Sequence, residues 1–502
     1  MQYKINVKST PFSLIHFCFL AALMVAMSCS GTQVVTLQDA PQSDKSETKL
    51  TKQEETGGEN TLTTEIRDVD STAHTTGSED SDIDSTPGTP MTDTGDALLG
   101  MQSDDLPADE TTAPNNSDQD PADTAQDNQP RPTFVYVSAS NSKEVHVFEL
   151  NYDDQMMTPK AVVALDGSAG PIATSADGTA LYVTSGEEIV SYDIDQSPGE
   201  SAGTLSRMKD ATGQIAHGVQ IGYFPVYLAL DGSESNLLTT GFDSGQATVF
   251  ALDEATRLAT YQSPGPVSTE HGDAKPHAIV SDPRDEFVLV PMRDANGILL
   301  YRYDSETGAL TLMEDGRGHA PDSPEKAGPR HIAIASNGID VYVINELSGS
   351  ITHYQLDRIA PKLNRLETVP TLPSNVDNSG FTCADIHLSP DGNFIYGSNR
   401  HNAGHSSDHK DSIVVYKVNA DGSLAHPTDD NSSDPYTVGT VEIPRDFNID
   451  PTGRFLIVAG QRSNNVALYD ILPDGTLDAA GRTPLPAGSS PLWVEVVTLK
   501  VK

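Results

Sequence analysis

The chain has 502 residues, with 72 acidic against 31 basic side chains and a formal net charge of −41. Such an excess of negative charge repels a phosphate backbone and excludes nucleic acid as a partner. Three cysteines in a chain of this length exclude a disulfide scaffold.

Residues 1–29 read as an export signal, because Lys4 and Lys8 precede an apolar stretch from Phe12 to Met27 that ends in Ala26-Met27-Ser28-Cys29. The stretch is too short for a membrane span, which needs about 20 apolar residues. A small residue before a Cys resembles the lipobox of bacterial lipoproteins, in which the Cys is acylated and becomes the new N-terminus. Cys29 is thus the expected lipidation site, and Ser30 in place of Asp resembles outer-membrane sorting. Ala26 stands where Leu is usual, which leaves ordinary signal cleavage open.

From residue 30 to 131 the composition shifts to Ser, Thr, Asp, Glu, Pro and Gln, with 23 acidic and 5 basic residues. So few apolar side chains cannot offset the entropy of ordering the backbone, and the like charges repel one another. The segment is expected to be a disordered acidic tether. Cys18 leaves with the signal, so a mature chain acylated at Cys29 keeps only Cys383 as a free thiol.

Residues 132–502 repeat one pattern seven times: an apolar triplet, a polar loop, then a second alternating run. The triplets start at Val135, Leu181, Leu237, Val288, Val341, Ile395 and Leu456, separated by 46, 56, 51, 53, 54 and 61 residues. That spacing suits one four-stranded sheet per repeat and predicts an all-β, seven-bladed β-propeller. Turns precede the triplets, as in Ser389-Pro390-Asp391-Gly392 and Asp282-Pro283-Arg284-Asp285, and pair each with an antiparallel neighbour. Pro491 to Val496 reads as a first strand with no triplet after it, and Phe134 opens a second strand with nothing before it. Joined, they close the ring and remove its free edges.

In a propeller the first strand of each blade lines the channel, so its start and the end of its antiparallel neighbour share one face. The first-strand starts are Pro276-His277, Pro329-Arg330-His331, Ala384-Asp385 and Pro444-Arg445-Asp446; the second-strand ends include Asn345-Glu346 and Asn399-Arg400. Carboxylates, arginines and histidines are expected around one channel mouth.

The segments GPRHIAIASNGIDVYVINELSGSITHYQLD (328–357), ADIHLSPDGNFIYGSNR (384–400), PRDFNIDPTGRFLIVAGQRSNNVALYDI (444–471) and the terminal PLWV (491–494) resemble the seven-bladed propeller lactonases, which include bacterial 6-phosphogluconolactonase. The resemblance extends from Phe134 to the C-terminus and thins between Leu165 and Gly222. It implies a lactonase that needs no cofactor, with catalytic residues on His277, Glu346, Arg330 and Arg400 and substrate contacts from Arg445, His331 and Asp385. Many members carry a second His two places after the first, where this chain has Ile279. The implied chemistry is attack of water on the carbonyl of a small-molecule lactone, with Glu346 or His277 as general base and Arg330 and Arg400 stabilising the oxyanion. Asp385 and Asp446 are the expected ion-pair partners of Arg330 and Arg445 if those arginines are structural.

His401, His405, His409 and Asp411 form a second constellation with a spacing of four, but Gly404, Ser406 and Ser407 point to a loop without metal. Export places the protein in the cell envelope, away from cytosolic phosphosugars. A tethered binding propeller without catalysis is the second function class.

Overall fold

The computed structural model describes residues 131–500 apart from 262–266, 269–273, 314–317, 320–326, 403–410, 429–433 and 480–481. The export signal, Cys29, the acidic tether, His405 and His409 lie outside the described residues. Those described belong to one compact unit, Pro114–Lys502.

Seven antiparallel sheets form in chain order. Blade 1 joins strands Thr133–Ala139, Glu144–Asn151 and Met156–Ala164 to the last strand of the chain, Pro491–Thr498; blades 2 to 7 begin at Ala169, Tyr227, Val280, Pro329, Phe381 and Pro444. The final strand takes the innermost place of blade 1, with Thr133 opposite Thr498, Val135 opposite Val496 and Val137 opposite Val494. Each predicted triplet lies in the second strand of its blade. The outer position is one nine-residue strand in blades 1 and 5, but two short strands sharing one neighbour in the other five.

The core is divided by blade. Seven apolar clusters lie one between each pair of neighbouring blades, closing with Val135, Val137, Phe148, Phe455, Ile457 and Leu468 between blades 1 and 7. Both faces of each second strand are buried in this way, which is why the triplets are apolar throughout instead of alternating.

Four triplets carry Tyr at their centre for a further reason. The hydroxyls of Tyr136, Tyr182, Tyr342 and Tyr396 donate to the carbonyls of Gly203, Arg257, Gly422 and Gly475, at 2.7 to 2.9 Å, each in the next blade. Turn chemistry sets the hairpins between first and second strands: Asp282 accepts from the backbone N–H groups of Glu286 (2.9 Å) and Phe287 (2.7 Å), and Asp450 repeats the device on Phe455 at 2.6 Å.

Blade 4 departs from expectation at its channel strand. Only Val280–Ser281 is regular strand, and His277 stands before it in a single-bridge segment where Pro276 faces Met292 and the His277 N–H donates to the Pro291 carbonyl at 3.0 Å.

Candidate functional site

The first strands of blades 2, 5, 6 and 7 each shift register near their start, between Ala169 and Ile172, Pro329 and His331, Cys383 and Ile386, and Pro444 and Asp446. A bulge adds a residue and breaks the two-residue alternation, so consecutive side chains can serve one side. Arg330 and His331 accordingly both lie buried at the channel, with Arg330 Nη1 3.0 Å from His331 Nε2.

A second repeat of position supplies the opposing groups. The residue five places after the triplet start falls at the C-terminal end of the second strand on the same face in blades 3 to 6: Phe242, Arg293 and Glu346 directly follow their strands, and Arg400 is the last but one residue of its own. Glu346 Oε1 lies 3.3 Å from Arg400 Nη2 and 3.4 Å from Arg293 Nη1, and Glu346 Oε2 lies 3.3 Å from Arg330 Nε. One carboxylate thus faces three guanidinium groups from three blades. Arg293 was missed in the sequence because no motif marks it, although its offset from Val288 equals that of Glu346 from Val341. It stacks on Phe242, with 4.6 Å from guanidinium carbon to ring centroid, and donates to Asp294 at 2.7 Å. Phe242 also packs edge-on against His277, at 5.3 Å.

The electrostatics follow from burial and like charge. Burial works against ionisation of Glu346, but Arg330, Arg400, Arg293 and Arg445 outweigh it and hold the carboxyl below its usual range. Burial, then Arg400 and Arg445, lowers Arg330 to about 9, and burial with Arg400 lowers Arg445 to about 10; both remain cations at neutral pH. His277 is held well below the ordinary imidazole value by burial and then by Arg330 and His331, so it is neutral. Among the described residues, four buried atoms here have no hydrogen-bond partner: His277 Nδ1, Arg330 Nε, Arg400 Nε and Glu346 Oε2. The 3.3 Å approach of Arg330 to Glu346 lacks hydrogen-bond alignment. An unpartnered buried polar group costs about 1–3 kcal/mol, offset for Arg330 Nε and Glu346 Oε2 by their mutual ion pair.

Deeper in the channel stands a different set. Asp385 accepts from His331 Nδ1 at 2.7 Å and from His387 Nε2 at 2.9 Å, while Asp446 Oδ2 accepts from the Val494 N–H at 2.7 Å. The expected pairing of Asp385 with Arg330 gives way to this arrangement, because the bulge that turns Arg330 towards Glu346 also turns His331 onto Asp385. Asp385 lines the cavity on the opposite face, with His387 and Glu495. Burial, followed by the charge of Asp385, raises Asp446 well above the carboxylate range; opposing its own burial, His387 and His331 hold Asp385 well below that range. The two neighbouring carboxyls are thus driven in opposite directions, Asp446 towards protonation and Asp385 towards ionisation.

Ligand atoms of His331, Asp385 and Asp446 lie within 4.8 Å of one another. The Arg330 guanidinium against His331 Nε2, together with the bonds just given, makes this a poor place for a cation. In the loop constellation, Asp411 accepts from the N–H groups of His401 (2.8 Å) and Ile443 (3.0 Å), which makes it an anchor for backbone.

Tyr227, His331 and Trp493 form an aromatic layer across the channel, with centroids 5.1 Å apart for Tyr227–His331, 5.3 Å for Tyr227–Trp493 and 6.0 Å for His331–Trp493. It separates a cavity of about 220 Å³ on the Arg330 face from one of about 600 Å³ on the other.

The sequence profile of a family described as "Lactonase, 7-bladed beta-propeller" matches residues 134–496. A 6-phosphogluconolactonase of Serratia proteamaculans is 28% identical over 372 residues, covering 72% of this chain and 98% of its own. The structure of the periplasmic gluconolactonase of Pseudomonas aeruginosa superposes with a TM-score of 0.59 at 21% identity, covering 73% of this chain and 100% of its own. A Lactobacillus plantarum protein gives 0.58 at 21%, covering 73% and 99%. At these identities the two structures establish likeness of fold alone.

Proposed function

The chain belongs to the family of seven-bladed β-propeller lactonases, and on that premise we propose that it hydrolyses a small lactone at the mouth where Glu346 faces Arg293, Arg330 and Arg400. The observation that carries this reading is the group of orphaned buried polar atoms around that carboxylate.

In the proposed reaction a water oxygen attacks the lactone carbonyl carbon. Arg330 and Arg400 stabilise the charge that builds on the carbonyl oxygen, where fixed cations in a partly dry site act most strongly. Glu346 already faces three cations, which leaves the neutral His277, with its free Nδ1, as the better-placed acceptor of the water proton. When the tetrahedral intermediate collapses, the ring C–O bond breaks and the leaving alkoxide takes the proton that His277 accepted from the water. The product is an open hydroxy acid, ionised at neutral pH. Arg445 contributes to substrate binding, and His331 and Asp385 act from behind by holding Arg330 in place.

The same reading makes the protein an envelope enzyme, exported by residues 1–29, lipidated at Cys29 at the outer membrane and tethered by residues 30–131. Its substrate is then a lactone present outside the cytosol. The test is acid release above the spontaneous rate from glucono-δ-lactone, its 6-phosphate and carboxymuconolactone. Turnover of any of them, or of an alkyl-substituted δ-lactone, supports the reading; inertness towards all of these favours the binding propeller.

A further inference from the structure

Beside the Glu346 cluster, and reached past Arg330 and Arg445, lies the 220 Å³ cavity on the same face. Phe224, Pro225, Leu492 and Trp493, from blades 3 and 1, give it apolar lining. Phe224 is 63% exposed, whereas seven of the nine other phenylalanines among the described residues are buried. Thr184, also in the lining, is buried with no partner for its Oγ1 among the described residues, against Gly170, where a β-carbon would collide with that hydroxyl. The lining therefore combines the guanidinium groups of Arg330 and Arg445 and the Asp446 carboxyl with one free hydroxyl and a group of hydrocarbon side chains.

We propose that this cavity receives an apolar arm on the lactone ring, so that the substrate class is an alkyl- or aryl-substituted lactone and not a polyhydroxylated aldonolactone. The inference rests on the lactonase reading above. With the ester carbonyl at Arg330, a ring substituent that enters the cavity meets the side chains of Phe224, Leu492 and Trp493 in its lining. A cavity of about 150 Å³ holds a benzene ring, so this one has room for an arm of about six carbons. Each methylene moved from water to such a wall raises kcat/KM about fourfold. Each sugar hydroxyl placed there loses its water without replacement, a loss of roughly tenfold.

The experiment measures kcat/KM of the full chain on δ-valerolactone, on its 5-alkyl derivatives from methyl to hexyl, and on glucono-δ-lactone. Trp493, the single Trp of the chain, provides a second signal through its emission on titration with each lactone. The expected result is a rise of about fourfold per carbon that levels off near six, with glucono-δ-lactone far below, and a flatter rise in Phe224→Ala. A flat or falling series with glucono-δ-lactone preferred overturns the apolar arm and leaves the lactonase reading standing. If no lactone is hydrolysed, that reading fails. Saturable emission changes with the hexyl but not the gluconic lactone then still support the pocket, and no change with either overturns it too.

Discussion

Around Glu346 one negative charge faces four positive ones, so removing the carboxylate and removing an arginine should act in opposite directions on stability. Glu346→Gln leaves buried guanidinium groups uncompensated and is expected to destabilise by about 3 kcal/mol, read as a lower unfolding temperature. Arg445→Gln relieves like-charge repulsion, since Arg400 is the foremost charged group depressing its ionisation. Its unfolding temperature should rise while kcat/KM falls, the trade expected of a site strained for function. For activity against pH, the lowered Glu346 carboxyl keeps its charge until pH falls below the ordinary 4.5. The acid limb of kcat/KM should, however, follow protonation of His277, the acceptor of the water proton, which burial, Arg330, His331 and Arg445 hold well below its ordinary 6.5. The limb should lie below that value, and Arg445→Gln should move it upward. His277, Glu346, Arg330 and Arg400 were legible as one face because blade equivalence places them there. Arg293 is equally placed, five residues after Val288, but no family motif marks it. What could not be read were the bulges, which decide that His331 and not Arg330 bonds Asp385.

Among elements, the hydroxyl latch from second strand to next hairpin makes a quantitative claim. Tyr342→Phe removes the donor to the buried Gly422 carbonyl and should cost about 1–2 kcal/mol in denaturant unfolding, with activity on the lactone unchanged. At Gly475 the backbone has φ +82° and a β-carbon would strike the Phe394 ring, so Gly475→Ala should destabilise by more than the latch. The seven triplets and the closing strand were legible since both rest on hydrophobic pattern and turn residues. The split outer strands were not, because an exposed edge position carries little pattern. Nor was the short first strand of blade 4, where His277 sits on a single bridge, since Pro276-His277-Ala278-Ile279-Val280 reads like any other channel strand.

For the molecule as a whole, the two channel mouths differ in charge: guanidinium groups at one, and Asp385, His387 and Glu495 at the other. Burial raises Glu495 to about 7, and Asp385 raises His387 against the effect of its own burial. Groups whose folded values are raised contribute stability at low pH and lose it as pH climbs through those values. Asp385 and Glu346, whose values are lowered, contribute above about pH 4 and lose it as pH falls. Glu495 should consequently make stability fall as pH climbs through about 7, and Asp385 and Glu346 should make it fall below about pH 4. Glu495→Gln should flatten the alkaline decline, by about 3 kcal/mol at pH 8. Net charge was plain from composition, but this division between mouths was not, because it depends on which residues of each first strand face which end. The account stands most directly on acid release from glucono-δ-lactone and 5-hexyl-δ-valerolactone, followed by pH-stat for the wild-type chain and for Glu346→Gln. Wild-type turnover of either lactone that falls at least a hundredfold in the variant is the predicted result; equal rates in the two proteins would contradict it.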